Sequence, residues 1–355
     1  MTPAWLPLGA IALVGTLLAV VGADPPEYPD HRRLLVLRDA AGRERPIASP
    51  REWRRRRAHL LAHMQRVMGP LPGSERRVPL DPRVHEEVVT DRFVRRKIDF
   101  ASEPGDRVPA YLFLPRARGR HPAVLCLHPT NRLGKAEPAG LGGRSDLHYA
   151  LHLAERGYVT LAPDYVNFGE HRFDPYAAGY ASGSMKAIWD NLRAVDLLQS
   201  LPEVDPRRIG VIGHSLGGHN ALFTAAFDER LIAIVSNCGF TAFPAYYGGN
   251  LAGWSGPTYM PRLRSEFGLD PRRVPFDFHE IVAALAPRAF LAIAPVRDDN
   301  FAVEGVREVI DAARAVYRLF GASERLAALY PDAAHAFPSE AREVAYAWLD
   351  RWLGR

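Results

Sequence analysis

The chain has 355 residues, of which 47% are hydrophobic and 24% are charged, and both fractions are typical of a globular protein. Its length is enough for a sizeable hydrophobic core in one large domain or two small ones. The net charge of +5 is only mildly basic, and no stripe of basic residues interleaved with aromatic residues appears. The composition therefore gives no support for nucleic-acid binding.

The N-terminal stretch predicts export. Residues 3–23 carry no charge and end in Val-Gly-Ala, where a signal peptidase would cleave, although the usual positive residues before the apolar stretch are missing. We predict a signal peptide over residues 1–23 and hence a periplasmic or secreted protein. Because the stretch is close to the ~20 apolar residues that span a bilayer, a membrane anchor is the alternative. A membrane is expected as a partner only in that case.

Residues 24–86 are predicted to form an N-terminal extension with one helix. Ser49 precedes Pro50 and has a glutamate three residues later, which is the pattern of a capping box with proline at the first helical position. Gly69 is expected to end this helix. We interpret the four arginines at 54–57 as a mixture of solvated and domain-paired side chains, rather than a patch for an anionic surface.

Residues 87–355 show two successive patterns. Up to residue 114 apolar and polar residues alternate, which predicts antiparallel edge strands with a turn at residues 102–106. From residue 123 onward, repeated β-α units with short connections favour a doubly wound sheet. The predicted fold class is α/β, with a mostly parallel sheet covered by helices on both faces. The predicted strands are 88–89, 93–100, 108–114, 123–127, 158–162, 209–213, 231–235, 289–294 and 326–330, and the predicted helices are 147–156, 185–201, 216–227, 303–320 and 339–353.

One interval interrupts this alternation. Residues 239–287 are rich in aromatic residues without clear periodicity, and a long irregular insertion after a core strand is usually functional. The interval forms either a lid or substrate-binding wall, with Tyr246, Tyr247 and Trp254 as candidate substrate-binding residues, or a small core of its own. The sequence favours neither alternative.

Metal and cofactor sites find no support in the sequence. The histidines are scattered, and no His-Glu-x-x-His or comparable cluster is present. The two cysteines, Cys126 and Cys238, are each expected inside a core strand as a buried free thiol. We therefore expect no metal and no cofactor.

Ser215 is the candidate nucleophile. It stands in a Gly-x-Ser-x-Gly sequence between a β-branched run, residues 209–212, and a helix-compatible stretch. Strand, sharp turn and helix are the context of a nucleophile elbow. Because Gly213 and Gly217 let the helix start close to the strand end, the Ser215 hydroxyl is expected to be exposed above the helix N-terminus.

Candidates for an acid and a base follow further along the chain. A serine hydroxyl is a weak nucleophile at neutral pH and needs a base, which a third group orients. Asp298 and Asp299 come shortly after one predicted strand, and His335 comes after the next. Since the carboxyl ends of parallel strands share one edge of a sheet, these side chains are expected to converge on Ser215.

The sequences around Ser215 and His335, Gly-His-Ser-Leu-Gly and Ala-His-Ala-Phe, resemble those of the α/β-hydrolase superfamily, within its dienelactone hydrolase and acetyl xylan esterase-like branch. The resemblance implies an α/β-hydrolase fold with Ser215, Asp298 and His335 as nucleophile, acid and base. Asp298 is preferred to Asp299 because the acid of such enzymes commonly lies three residues after a small turn residue, whose place Pro295 takes.

The resemblance also implies an oxyanion hole. Its two donors are expected to be the backbone N–H groups of Leu216 and Thr130. Pro129 stands where many relatives have glycine and has no N–H group, which departs from the family pattern. His128 and Asp164 match structural positions, and we expect them to hold loops rather than to take part in chemistry.

The resemblance covers about residues 93–353 and implies a serine hydrolase that cleaves carboxylic esters through an acyl-enzyme. The expected partner is a small-molecule or carbohydrate ester, with acetyl groups on a polysaccharide as the leading substrate. One alternative is a prolyl-oligopeptidase-type serine peptidase, although no propeller-sized domain precedes the hydrolase. The other is a non-catalytic binding protein of the same fold. The sequence predicts neither the acyl and alcohol groups nor the oligomeric state.

Overall fold

The computed structural model describes residues 25–354. The predicted signal peptide, residues 1–23, lies outside the described residues. Among the helices that are described, none is both long enough and apolar enough to cross a membrane.

The described chain alternates strands and helices. Its strands are β1 Val36–Arg38, β2 Glu44–Pro46, β3 Arg83–Val89, β4 Phe93–Glu103, β5 Asp106–Pro115, β6 His121–Leu127, β7 Val159–Pro163, β8 Val204–His214, β9 Leu231–Asn237, β10 Ala289–Ile293 and β11 Leu326–Leu329. Its α-helices are α1 Pro50–Met68, α2 Tyr149–Glu155, α3 Gly183–Ser200, α4 Leu216–Phe227, α5 Arg262–Ser265, α6 Phe278–Ala284, α7 Val303–Leu319 and α8 Ser339–Leu353.

Nine of these strands form one sheet in the order β11-β10-β9-β8-β6-β7-β5-β4-β3, while β1 and β2 pair separately within residues 25–354. Strands β6 to β11 run parallel to one another. Strands β3, β4 and β5 join them antiparallel at one edge. The predicted α/β class, with a mostly parallel sheet and antiparallel N-terminal edge strands, is confirmed.

Helices cover both faces of the sheet. One core contains apolar residues of α1, α3, α4, α6 and α7 against one face, and a second core contains those of α2 and α8 against the other. The central strands β6, β7 and β10 are buried almost throughout, which explains why they read as continuous apolar runs in the sequence. The two-sided arrangement leaves the ends of the strands as the place for a site.

Helix α1 begins and ends where the sequence indicates. The Ser49 side chain caps the helix, and Gly69 ends it with a φ of 92°. Of the four consecutive arginines at 54–57 in α1, Arg54 and Arg55 are exposed. Arg56 is buried against Glu280. The fourth arginine donates hydrogen bonds to backbone carbonyls of α4 and α6. The interpretation of a mixed solvated and paired run is therefore confirmed.

The structure corrects three predictions of secondary structure. β3 begins at Arg83, five residues before the strand predicted at 88–89. The turn predicted at residues 102–106 is shorter, since β4 continues to Glu103 and β5 begins at Asp106. Ser102 donates a 2.8 Å hydrogen bond to Asp106, and both are buried. Cys238 follows β9 instead of lying inside a strand, with a φ of 49°. Both cysteines are buried and free, as expected.

The interval 239–287 is less irregular than its sequence suggests, since it contains α6. The Asp277 side chain and that of Glu280 form a reciprocal capping box at the start of this helix. All residues of α6 are buried, including the polar His279 and Glu280, so the helix has no solvent-exposed face and therefore none of the amphipathic periodicity by which a surface helix is recognised.

Candidate active site

The connection between β8 and α4 has the geometry of a nucleophile elbow. Ser215 has φ 54° and ψ −118°, a conformation that strains a residue with a side chain and persists only where the surroundings impose it. Its N–H group donates a 2.9 Å hydrogen bond to the carbonyl of Asn237, which fixes the turn to the end of β9. The half-buried Ser215 side chain therefore stands at the carboxyl edge of the sheet.

The glycines on either side of Ser215 are required by close backbone contacts. A Cβ atom on Gly217 would lie 1.9 Å from the carbonyl oxygen of Leu127, and one on Gly213 would lie 2.2 Å from the backbone carbon of Gly217. Neither neighbour is a flexible side chain that could move aside. The Gly-x-Ser-x-Gly spacing is thus explained by the packing of α4 against the ends of β6 and β8.

A histidine and a carboxylate lie in contact at the same edge. His335 Nδ1 lies 3.0 Å and 2.9 Å from the two carboxylate oxygens of Asp298. The Asp298 carboxylate also accepts hydrogen bonds from the N–H groups of Asn300 and Phe301. Asp299, by contrast, is exposed. The structure thus brings Asp298, and not Asp299, to His335.

The charge state of this pair follows from its surroundings. Burial raises the pKa of Asp298, but the hydrogen bond and the charge of His335, with the two backbone N–H groups, outweigh it and lower the pKa overall. Because a carboxylate only accepts hydrogen bonds, the His335 proton is assigned to Nδ1. Nε2 is then free to accept a proton, and the His335 side chain is 25% exposed while that of Asp298 is 1% exposed.

Ser215 and His335 stand on the same edge without a hydrogen bond between them. Within the described chain, Ser215 Oγ makes no hydrogen bond, whereas the ring of the preceding residue, His214, lies 4.7 Å from the ring of His335. Catalytic hydrogen bonds are often long in a ligand-free enzyme and tighten only with substrate. The predicted convergence of residues 215, 298 and 335 on one edge agrees with this arrangement, and their roles stay a proposal.

The two predicted oxyanion donors lie beside Ser215. Leu216 is the first residue of α4, so its N–H group has no partner within the helix. Thr130 lines a cavity that Ser215 and Leu216 also line. His128 holds the loop that contains Thr130, because its Nδ1 lies 2.7 Å from the Pro129 carbonyl and its Nε2 accepts the N–H of Tyr165 at 2.9 Å. Burial lowers the pKa of His128, which keeps this structural ring neutral.

Asp164 also has the structural surroundings that the sequence suggested. Its buried carboxylate accepts hydrogen bonds from the backbone N–H of Lys135, from Lys135 Nζ, both at 2.7 Å, and from the N–H of Glu170 at 2.8 Å. The carboxylate therefore joins two loops at the strand edge.

A cavity of about 70 Å³ opens at Ser215. Its lining residues are Thr130, Ser215, Leu216, Tyr246, Gly253, Trp254, Tyr259, Asn300 and Phe301. Of the three predicted substrate-binding residues, Tyr246 and Trp254 belong to this wall. Tyr247 does not: it is 59% exposed, and its hydroxyl donates a 3.0 Å hydrogen bond to Asn300. Tyr247 therefore does not line this cavity itself, and its part in substrate binding stays a proposal.

The aromatic interval contains both core residues and residues that line the cavity. The rings of Phe240 and Phe243 pack on Phe278 of α6 at 5.4 Å and 5.3 Å, inside the core. Tyr246 and Trp254 instead face the cavity. Tyr259, Asn300 and Phe301 were missed as wall residues, although Asn300 and Phe301 directly follow the candidate acid in sequence.

Two groups of side chains within residues 25–354 bring metal-ligating atoms together. One is Cys238 with Asp298 and His335, where burial raises the pKa of the Cys238 thiol well above its usual value and so disfavours the thiolate that a metal needs. The other is Asp106, His171 and Asp190, whose two carboxylates already bind the buried ammonium group of Lys186. Neither donor set fits a metal ion.

The chain is similar in sequence to known hydrolases. The chain is 30% identical over 261 residues to the "Putative hydrolase YtaP" of Bacillus subtilis, covering 70% of this chain and 84% of that protein. The chain belongs to the α/β-hydrolase superfamily. A family model described as "Glucuronyl esterase, fungi" matches residues 167–321 of this superfamily member, a range that contains Ser215 and Asp298.

Other relatives in the superfamily are esterases by name. The "Acetyl esterase Axe7A" of Xylanibacter ruminicola is 26% identical over 203 residues, which cover 51% of this chain and 43% of that protein. The solved "Glucuronoyl Esterase from Solibacter usitatus" superposes with a TM-score of 0.68 at 18% identity, covering 93% of this chain and 99% of the other. The first similarity supports an esterase, and the second shows the shared fold.

Proposed function

We propose that the protein is a serine hydrolase that cleaves carboxylic esters of carbohydrates through an acyl-enzyme on Ser215. Asp298 and His335 are the proposed acid and base. The observation that carries the proposal is the strained Ser215 elbow beside the His335–Asp298 hydrogen-bonded pair, at the mouth of a small cavity. Homologues named as glucuronyl and acetyl esterases support the same reaction class.

The reaction follows from these groups by double displacement. His335 Nε2 accepts the proton of Ser215 while Oγ attacks the ester carbonyl, and Asp298 stabilises the imidazolium that forms. The oxyanion is proposed to accept hydrogen bonds from the N–H groups of Leu216 and Thr130. His335 then gives its proton to the departing alcohol, and water, activated by the same ring, hydrolyses the acyl-enzyme.

The cavity wall supports a sugar in the substrate. Tyr246, Trp254 and Tyr259 present aromatic rings, and the polar groups among them are uncharged. Burial, with a smaller effect of Tyr247 and Tyr259, raises the pKa of Tyr246 to about 12, so it stays a neutral phenol. Trp254 Nε1 is buried without a hydrogen-bond partner within the described chain, so the donors of this wall are the tyrosine hydroxyls and the Asn300 amide. Neutral donors on flat rings suit sugar hydroxyls and ring faces better than charged substrates.

Hydrolysis assays with purified protein test this proposal. The substrates are p-nitrophenyl acetate, acetylated xylo-oligosaccharides, a methyl ester of glucuronic acid and a prolyl peptide anilide. We expect ester hydrolysis that Ser215→Ala abolishes and that the exposed control Ser200→Ala retains. Turnover by Ser215→Ala at the wild-type rate would remove the mechanism, and cleavage of the peptide alone would favour the peptidase alternative. The relative rates on the two sugar esters identify the acyl group.

Export also stays a proposal. A substrate in polysaccharide outside the cell would require it, and the apolar sequence of residues 3–23 supports it. Mass spectrometry of the protein produced with its full sequence is expected to find a mature chain that begins at Asp24. A mature chain that still begins at Met1 would contradict cleavage.

A further inference from the structure

The end of β9 lies at the centre of the candidate active site. In the sheet, β9 is placed between β8, which leads to Ser215, and β10, which leads to Asp298. The mechanism uses no side chain from β9. Yet its last residue, Asn237, is completely buried, and so is almost all of the following residue, Cys238. Buried polar side chains at such a place need an explanation.

Asn237 connects the nucleophile to the histidine loop. Its backbone carbonyl accepts the N–H of Ser215 at 2.9 Å. Its side-chain Nδ2 donates to His214 Nδ1 at 2.6 Å and to the Ala336 carbonyl at 3.2 Å. One amide group thus contacts the residue before the nucleophile and the residue after His335.

Cys238 reaches the remaining parts of the site. Its N–H donates to the carbonyl of Ile293 at the end of β10 at 2.9 Å, and its Sγ lies 3.5 Å from the Ala336 carbonyl. The same sulfur stands within 4.8 Å of ligand atoms of Asp298 and His335. Because the buried thiol stays protonated, it is a weak donor. Its two acceptors are the Ala336 carbonyl and Asn237 Oδ1.

We propose that Asn237 and Cys238 are positioning residues, which hold the Ser215 elbow, the Asp298 loop and the His335 loop in register and keep the His214 ring neutral against His335. This inference rests on the proposed function. Misplacing reacting groups by about 1 Å can cost about 100-fold in rate. Substitution of the two side chains that connect these loops is therefore expected to lower kcat more than it changes KM.

The His214 ring is the reason that an amide suits position 237. His214 Nδ1 accepts from Asn237 Nδ2 and therefore carries no proton. Burial, and then the charge of His335, hold the pKa of His214 well below its usual range. The other groups near His335 are the Asp298 carboxylate, the Cys238 thiol and Arg144, which donates to the His335 carbonyl at 3.1 Å. A charged His214 would add a cation 4.7 Å from the imidazolium of the transition state.

The variant Asn237→Asp tests the amide. Its carboxylate would favour a protonated His214, a cation whose ring centroid lies 4.7 Å from that of His335. We expect kcat to fall about 10- to 100-fold with KM within about twofold, and the acidic limb of the kcat/KM profile to move to lower pH. A purely structural role would not move that limb. Wild-type kcat together with an unmoved limb would overturn the proposal for Asn237.

The variants Cys238→Ala and Cys238→Ser test the thiol and perturb the fold less. We expect Cys238→Ala to lower kcat about threefold to tenfold, by loss of a weak hydrogen bond, and Cys238→Ser to restore most of it. Cys126→Ala is the matched control, since Cys126 is also buried and free but packs in the α2–α8 core, and it should retain wild-type kcat. Equal kcat for both alanine variants would overturn the role of Cys238.

These outcomes are distinct from failure of the proposed function. An active Ser215→Ala would reject the serine mechanism itself. An inactive Ser215→Ala with unaffected variants at 237 and 238 would reject only the positioning role.

Discussion

Within residues 25–354, two histidines place Nδ1 within 3 Å of a buried carboxylate. At the strand edge, His335 Nδ1 lies 2.9 Å from Asp298. Where the N-terminal extension meets α6, His31 Nδ1 lies 2.8 Å from Glu280. The histidine side chains are 25% and 14% exposed, and both carboxylates are 1% exposed. The same two chemical groups therefore occur twice in similar burial.

The surroundings of the two pairs differ. Glu280 also binds the buried guanidinium of Arg56 and accepts the N–H of Asp277. Although burial raises the pKa of Glu280, the charges of His31 and Arg56 outweigh this effect and lower it to about 2. His335 instead has a second ring nitrogen available on the side of the cavity and the nucleophile.

A histidine–carboxylate contact is therefore not a catalytic site by itself. The pair at Asp298 borders a cavity with a strained serine, whereas the pair at Glu280 is closed by an arginine and joins the extension, α1 and α6. We infer that the first serves chemistry and the second serves stability, and four experiments test the contrast.

The largest effect is expected from Asp298→Asn. An amide cannot hold the His335 proton on Nδ1 and stabilise the imidazolium in the way a carboxylate does, so kcat should fall by about 10³- to 10⁴-fold. Thermal unfolding should change little. Asp299→Asn is the control and should keep kcat within about twofold. Equal loss in the two variants would show that the wrong carboxylate has been assigned.

Arg56→Met should lower the free energy of unfolding through the pair at Glu280 without lowering kcat. Removing one member of a buried ion pair costs about 3–5 kcal/mol, because Glu280 keeps its charge with less compensation. Urea unfolding measures the loss, and kcat under folding conditions should stay near wild type. The exposed Arg54→Met should change stability by less than about 0.5 kcal/mol. Equal unfolding free energies for the two methionine variants would contradict a stabilising role of the buried pair.

Trp254→Phe tests the cavity wall. Loss of part of the ring face on which a sugar would pack, worth about 1 kcal/mol, should raise KM for a carbohydrate ester about fivefold while leaving p-nitrophenyl acetate hydrolysis unchanged. Trp348→Phe is the matched control, since its Nε1 is likewise buried and unpartnered in the described chain but lies on α8. A similar rise in KM on both esters would argue against sugar recognition.

The smallest effect is expected from His31→Gln and depends on pH. Burial lowers the pKa of His31, but the charges of Glu280 and Asp277 raise it above its usual value overall. Protonated His31 therefore stabilises the fold fully below about pH 6.5. This stabilisation disappears as the pH rises through the folded-state pKa. The wild type should exceed the variant in unfolding free energy by up to about 1 kcal/mol at pH 5.5, and by less at pH 9. A pH-independent difference would contradict this.

Features that depend on neighbouring residues follow from local sequence patterns. The bounds of α4 and α8 are those predicted, because apolar spacing and the glycines of the elbow specify them locally. The order Ser215, Asp298, His335 after successive strands also followed from local patterns, and parallel strands bring such ends to one edge.

The three-dimensional structure was needed for the features that depend on contacts between segments distant in the sequence. It brought the carboxylate of Asp298, which the sequence preferred on spacing alone, to His335 and left Asp299 exposed. It revealed α6, whose fully buried surface leaves no periodic signal. It also paired Arg56 with Glu280, 224 residues apart. Side-chain direction and long-range contacts arise from packing the whole chain, and no local pattern of residues encodes them.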